Sequence, residues 1–124
     1  MDHRVVCFAC ENSAVHLIPE EVRLITLPCS GRVEVRHILR AVREGADAVL
    51  VVGCLEGNCR YHIGTIEARR RVAEARELLV QMGAGDRVMF RNLAPNHPAR
   101  VNRVMEEVNT LIDTVGRNPL RGGE

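Results

Sequence analysis

Five cysteines carry the chemistry this chain has to offer: Cys7, Cys10, Cys29, Cys54 and Cys59. A thiolate is a soft metal ligand, a nucleophile or a redox centre, and a buried thiol is a small hydrophobe. Spacing separates these uses. Cys7 and Cys10 form one Cys-x2-Cys, Cys29 stands alone, and Cys54 and Cys59 form a Cys-x4-Cys. Structural zinc sites usually use two short Cys-x2-Cys knuckles, and here there is one. Cys-x4-Cys with distant partners is closer to the spacing of [2Fe–2S] ferredoxins, without matching it. Spacing therefore favours an iron–sulfur cluster over zinc. A secreted disulfide framework would call for a signal peptide and an even cysteine count, and the chain shows neither.

The elements that must position these thiols alternate. Arg4–Phe8, Val22–Leu27, Asp47–Val52 and Arg87–Asn92 read as strands rich in β-branched residues. The third has an unbroken apolar run, as expected of a central parallel strand covered on both faces. The fourth is more polar and suits an edge. Val35, Ile38, Leu39 and Val42 make one helical stripe, stopped by Gly45. Ala68, Val72, Ala75, Leu79 and Met82 make a second, with Thr65 as N-cap and Gly83 as stop. Val101, Val104, Met105, Val108, Leu111, Ile112 and Val115 make a third, capped by Asn96 with Pro98 in its first turn. Between the first two strands only a short helix fits before Pro19.

Strand–helix alternation predicts a small open parallel α/β sheet of about four strands, order 2-1-3-4, with helices on both faces. Residues 1–116 make this one domain, and 117–124 read as a flexible tail. In the 2-1-3 order all five cysteines fall at the C-terminal ends of neighbouring strands, where open α/β sheets bind ligands. Cysteines that served only as core filler would scatter over the elements. The first strand ends at Phe8 on this reading. Cys7 is then a buried small residue within the strand, and Cys10 lies in the loop beyond it, able to turn toward the other thiols.

Rival chemistries have less support. Cys7-Phe8-Ala9-Cys10 would suit thiol redox catalysis only at a helix N-terminus, and three further cysteines would stay unexplained. Ser30-Gly31-Arg32 opens a helix and could cradle an anion, but there is no G-x-G-x-x-G and no P-loop lysine. His3, His16, His37 and His97 read as solvated, and His62, close to the last cysteine, as loop packing. No Ser/His/Asp set or carboxylate pair converges at the cysteine edge, so hydrolase chemistry has no basis.

Composition excludes more. The 124 residues fit one domain, and 46% hydrophobic with 27% charged residues is ordinary for a globular protein. All 17 basic residues are arginine, so lysine Schiff-base chemistry is excluded. Net charge is +1 and aromatics are 2%, so nucleic-acid binding lacks both a basic footprint and stacking platforms. The longest apolar run, Ala48–Val52, is far short of a membrane span, and Met1-Asp2-His3-Arg4 leads into no signal region. A cytoplasmic location is expected.

Three ordered strings are specific: Pro28-Cys29-Ser30-Gly31-Arg32-Val33; Glu44-Gly45-Ala46-Asp47 through Val52-Gly53-Cys54; and Gly57-Asn58-Cys59-Arg60-Tyr61-His62 with Gly64 and Ala68-Arg69-Arg70-Arg71-Val72. This succession resembles the iron–sulfur delta subunit family of methyl-viologen-reducing hydrogenase, over roughly residues 3 to 115. The open sheet read from the pattern is flavodoxin- or Rossmann-like, and the resemblance implies that it carries one [2Fe–2S] cluster, zinc being the alternative that spacing leaves. It implies a non-catalytic electron relay in anaerobic metabolism, working between an oxidoreductase partner (hydrogenase, formate dehydrogenase or similar) and a flavin-containing heterodisulfide-reductase A-type subunit. The alternatives are a structural zinc-thiolate interaction module and a thiol/disulfide redox protein. The family often carries Cys-x-x-Cys at the first strand's end. Cys10-Glu11-Asn12-Ser13 is similar to that segment, with Ser13 in place of the second cysteine. On this register the resemblance implies Cys10, Cys29, Cys54 and Cys59 as ligands. On the other, Cys7 pairs with Cys10 and one of the rest is spare. Arg32, Arg60 and Arg69-Arg70-Arg71 flank the cysteine edge or the helix leaving it; some of them are expected to pair with acidic groups on a partner, the alternative for Arg69 to Arg71 being a solvated helix face.

Overall fold

The computed structural model describes residues 4–10, 13–27, 33–53, 64–93, 98–116 and 118, and for 64–66 the backbone alone. Four strands form the sheet: β1 (Val5–Cys10), β2 (Arg23–Leu27), β3 (Ala48–Gly53) and β4 (Val88–Asn92). All three pairings are parallel and the order is β2-β1-β3-β4. Every residue of β3 is buried. That is the physical meaning of its unbroken apolar run: with both faces covered, no position can be polar.

Three helices flank the sheet: α1 (Val35–Arg43), α2 (Gly64–Val80) and α3 (Pro98–Val115). Ile38 and Val42 of α1 and Ala68, Val72, Ala75 and Leu79 of α2 pack with Phe8, Val49, Val51 and Val88 on one face. Val101, Val104, Val108 and Ile112 of α3 pack with Val5, Cys7, Ala9, Leu50 and Val52 on the other. A single 3₁₀ turn, Val15–Leu17, follows β1 and lies against this second core, as the short span before Pro19 predicts. Gly45 (φ 104°) and Gly83 (φ 73°) take left-handed angles just beyond α1 and α2, so both helices stop where glycine allows the chain to turn.

Several local expectations need correction. β1 runs on to Cys10, which pairs with Leu27 of β2 and is therefore in the strand rather than in the loop beyond it. α1 opens at Val35 behind Glu34, and Ser30-Gly31-Arg32 lies outside the described residues. α2 begins at Gly64, which places Thr65 inside the helix. Met82 is 63% exposed because α2 ends at Val80 and the following turn carries the chain off the sheet. His37 is half-buried. Its ring stacks on Phe8 at 6.3 Å and its Nδ1 accepts the Glu34 N–H at 3.0 Å.

Of residues 117–124, read as a flexible tail, Asn118 is described, and it is hydrogen-bonded to the sheet domain. Its amide nitrogen donates to the carbonyls of Val42 (2.8 Å) and Ala46 (2.7 Å). Its backbone N–H donates to Asp47 at 2.8 Å. Asp47 also accepts the Arg4 N–H, and buried Arg87 donates to the carbonyls of Asp47 and Gly116. This buried polar knot closes the N-terminal end of the sheet and leaves the opposite end for the cysteines.

Candidate metal centre

Strand register places the cysteine-bearing chain ends in one row. Cys10 lies opposite Leu27, and Cys29 follows two residues later in the chain. Ala9 lies opposite Val52, so Cys10 is level with Gly53, the residue before Cys54. Gly53 in turn lies opposite Asn92. Neighbouring strands are about 4.8 Å apart, so the C-terminal ends of β2, β1 and β3 fall within about 10 Å of one another.

This row is also the topological switch point of the sheet. The chain leaves β1 toward β2 across the α3 face and leaves β3 toward β4 across the α1/α2 face. The crevice between the diverging connections opens between the ends of β1 and β3, where open α/β sheets hold ligands. Cys10 and Gly53 stand on its two sides.

Cys7 and Cys10 face opposite ways. Side chains alternate along a strand, so residues three apart point to opposite faces. Cys7 shares the α3-side core with Val5 and Ala9, while Phe8, two residues before Cys10, is in the core under α1 and α2. Both thiols are buried, Cys7 completely and Cys10 at 2% exposure. Burial pushes the Cys7 thiol up to about 12. Three residues of extended chain also separate the two Cα atoms by about 10 Å, beyond the span of a disulfide.

Ser13 closes the turn after β1. Its hydroxyl donates to the Cys10 carbonyl at 2.6 Å and its N–H reaches the same oxygen at 2.9 Å. The side chain is buried, so this serine holds the end of β1 at the crevice. The sequence marks Ser13 only as a replacement for a cysteine and shows nothing of this role.

Cys29, Cys54, Cys59, His62, Arg32 and Arg60 lie outside the described residues. Among the described residues there is no group of three or more His, Cys, Asp or Glu side chains able to hold a metal. Nor, among them, is any helix long and apolar enough to cross a membrane. The arginine run on α2 divides. Arg70 pairs with Glu67 at 2.9 Å, a hydrogen bond that also holds the Glu67 carboxyl below its usual range. Arg71 donates to the Val33 carbonyl at 2.8 Å. Arg69 lies over the Phe90 ring at 5.6 Å and reaches Asn92 Oδ1 at 3.4 Å.

Fold and site together define a class: a small all-parallel α/β domain with Cys10 at the end of β1, beside its switch point. The chain belongs to the family of the methyl-viologen-reducing hydrogenase delta subunit, which it matches over residues 5–116. It is 36% identical over 104 residues to the iron-sulfur D subunit of the F420-non-reducing hydrogenase vhu of Methanocaldococcus jannaschii, covering 83% of this chain and 78% of that protein. It is 32% identical over 123 residues to the iron-sulfur D subunit of an F420-non-reducing hydrogenase of Archaeoglobus profundus, covering 90% of each. The A subunit of the ferredoxin:CoB-CoM heterodisulfide reductase of Methanosarcina mazei is 35% identical over 71 residues, 57% of this chain but only 9% of that much longer protein.

Proposed function

We propose that this chain is a cytoplasmic electron-transfer subunit carrying one [2Fe–2S] cluster. It relays electrons between an oxidoreductase partner and a flavin-containing heterodisulfide-reductase A-type subunit and performs no substrate chemistry of its own. Cys10, Cys29, Cys54 and Cys59 are the ligands, and Cys7 is a core residue. The observation that carries this reading is the row at the switch point. Cys10 closes β1 there, level with Gly53 and Leu27, while Cys7 faces the opposite core. Four thiols suffice for two irons, so a fifth is not required.

The donor chemistry fits the group. Three chain ends converge on one crevice, and thiolates are the ligands that iron–sulfur clusters take. The cluster would supply one-electron transfer. The chain's own residues hold it at a sheet edge, pin the turn through Ser13 and keep the sheet rigid beneath it. The partner assignment draws support from the Methanosarcina mazei protein. There a segment similar to this chain lies inside the A subunit of a heterodisulfide reductase.

Iron and acid-labile sulfide analysis of anaerobically purified protein tests the reading. About two of each per chain are expected, with visible absorption that bleaches on reduction. One zinc per chain without sulfide would replace the cluster with a structural zinc module, because zinc thiolates are colourless.

A further inference from the structure

Cys10 is the last residue of β1, and two hydrogen bonds from Ser13 end on its carbonyl. The Ser13 hydroxyl donates at 2.6 Å and the Ser13 N–H at 2.9 Å. Ser13 is 2% exposed, and the next residue, Ala14, is fully buried in the core under α3. From Ala14 the chain enters the 3₁₀ turn Val15–Leu17, where the Leu17 N–H reaches the Ala14 carbonyl at 2.9 Å. The serine is thus fixed by a packed neighbour on one side and by Cys10 on the other.

These bonds act on the Cys10 thiol through geometry. The direction of a Cα–Cβ bond is set by the backbone atoms on either side of it. Strand pairing with Leu27 of β2 fixes where Cys10 enters. Beyond it the carbonyl takes two donors, one for each lone pair. With both sides fixed, rotation about χ1 is the freedom left to the sulfur. A ligand already held to within about 0.5 Å of its bonding position needs little further ordering when the metal arrives.

The same hydrogen bond says what Ser13 does not do. A serine oxygen that ligates iron must give up its proton, and here that proton is committed to a buried carbonyl. A thiol in its place would not repeat the contact, because S–H is a weak donor.

We propose that Ser13 is a positioning residue for Cys10: its hydroxyl locks the end of β1 so that the Cys10 thiol is presented to the cluster, and position 13 itself supplies no ligand. The proposal rests on the relay reading above, in which Cys10 is a ligand. Groups that orient a metal ligand without touching the metal typically change metal affinity by about 10- to 100-fold when they are replaced.

The test uses the complete chain in its cluster-loaded and apo forms. Loaded Ser13→Ala should release iron to a chelator about tenfold faster than the unaltered chain. In the apo form, alkylation by iodoacetamide, followed residue by residue by mass spectrometry, should be about tenfold faster at Cys10 and unchanged at Cys7. General loosening of the fold would accelerate both thiols alike, and that result would overturn the positioning role. Ser13→Cys, close to serine in size, should release iron as Ser13→Ala does, and it carries the comparison should the alanine variant fail to fold. Cys10→Ala with Ser13→Cys moves the thiol from position 10 to position 13 and should hold no cluster. A full complement of iron and sulfide in that double variant would put a ligand at position 13 and overturn the proposal. Unchanged iron release and unchanged Cys10 alkylation in Ser13→Ala would overturn it as well and leave the relay reading standing. An unaltered chain that binds no iron would remove the relay reading, and with it the ligand that Ser13 positions.

Discussion

Replacing Cys7 and Cys10 one at a time separates a core thiol from a ligand. Cys7 has no exposed surface, sits between Leu24 of β2 and Leu50 of β3, and faces α3. Cys7→Ala removes one sulfur from this packed layer, a loss comparable to a single methyl group. The cost should be about 1 kcal/mol, or a fall of about 4 °C in melting temperature for a chain of this size. Cys7→Ser leaves the volume but buries a hydroxyl where the thiol was, and should cost more, about 2 kcal/mol. Neither change should alter iron content or the visible spectrum. Cys10→Ala acts at the switch point and should lose the cluster or retain it only transiently, while Cys29→Ala and Cys54→Ala behave alike. Urea unfolding reads the first effect, and absorption with iron analysis reads the second. Bleaching by Cys7→Ala while alanine at Cys29 or Cys54 leaves the colour would refute the ligand set. A full spectrum in Cys10→Ala would refute it equally.

Two further outcomes concern the two ends of the sheet. Asn118→Ala removes a donor from each of two carbonyls, that of Val42, which keeps the Gly45 N–H at 3.0 Å, and that of Ala46, and should destabilise the fold by about 1–2 kcal/mol in denaturant titration; a change below about 0.5 kcal/mol would show that the knot is not a structural lock. Cys7 also sets an alkaline dependence: its thiol stays protonated in the folded state up to about 12 against an ordinary value of 9.0, so the unfolded chain gives up the proton first. The stability it contributes is whole below about pH 9 and is lost as pH rises toward 12, so Cys7→Ala should lose stability less steeply than the unaltered chain between about pH 8.5 and 10.5. Equal slopes for the two would mean that the thiol is not desolvated.

Much of the architecture can be read from residue order. The apolar run Ala48–Val52 demands cover on both faces, the stripes on α1, α2 and α3 demand a sheet to pack on, and alternation makes the pairing parallel. Short-range pattern carries this information because burial repeats with the period of each element. The strand order is legible for the same reason, but the expected clustering of cysteines is not settled by it: Cys7 and Cys10 lie within β1, and Cys29, Cys54 and Cys59 lie outside the described residues. The proposed cysteine ligands came into view through family resemblance and not through spacing, which left zinc, iron–sulfur and both registers open.

What three-dimensional folding decided is where the elements end and what meets across them. β1 continues to Cys10 because Leu27 is there to pair with it, and no pattern within residues 4–10 announces a partner 17 residues away. The same pairing sets Cys7 and Cys10 on opposite faces, which turns a Cys-x2-Cys that reads as a chelate into two separate thiols. Arg69 and Arg100 stand far apart in the chain and both reach Asn92 only because α2 and α3 flank the same end of β4 from opposite faces. Asn118 lies in a stretch with no apolar period, yet it is held by three hydrogen bonds to residues more than 70 positions earlier. Periodic burial is a local property that a sequence displays directly. Hydrogen-bond partners and charge neighbours are long-range, and they exist only once the sheet has brought the strand ends together.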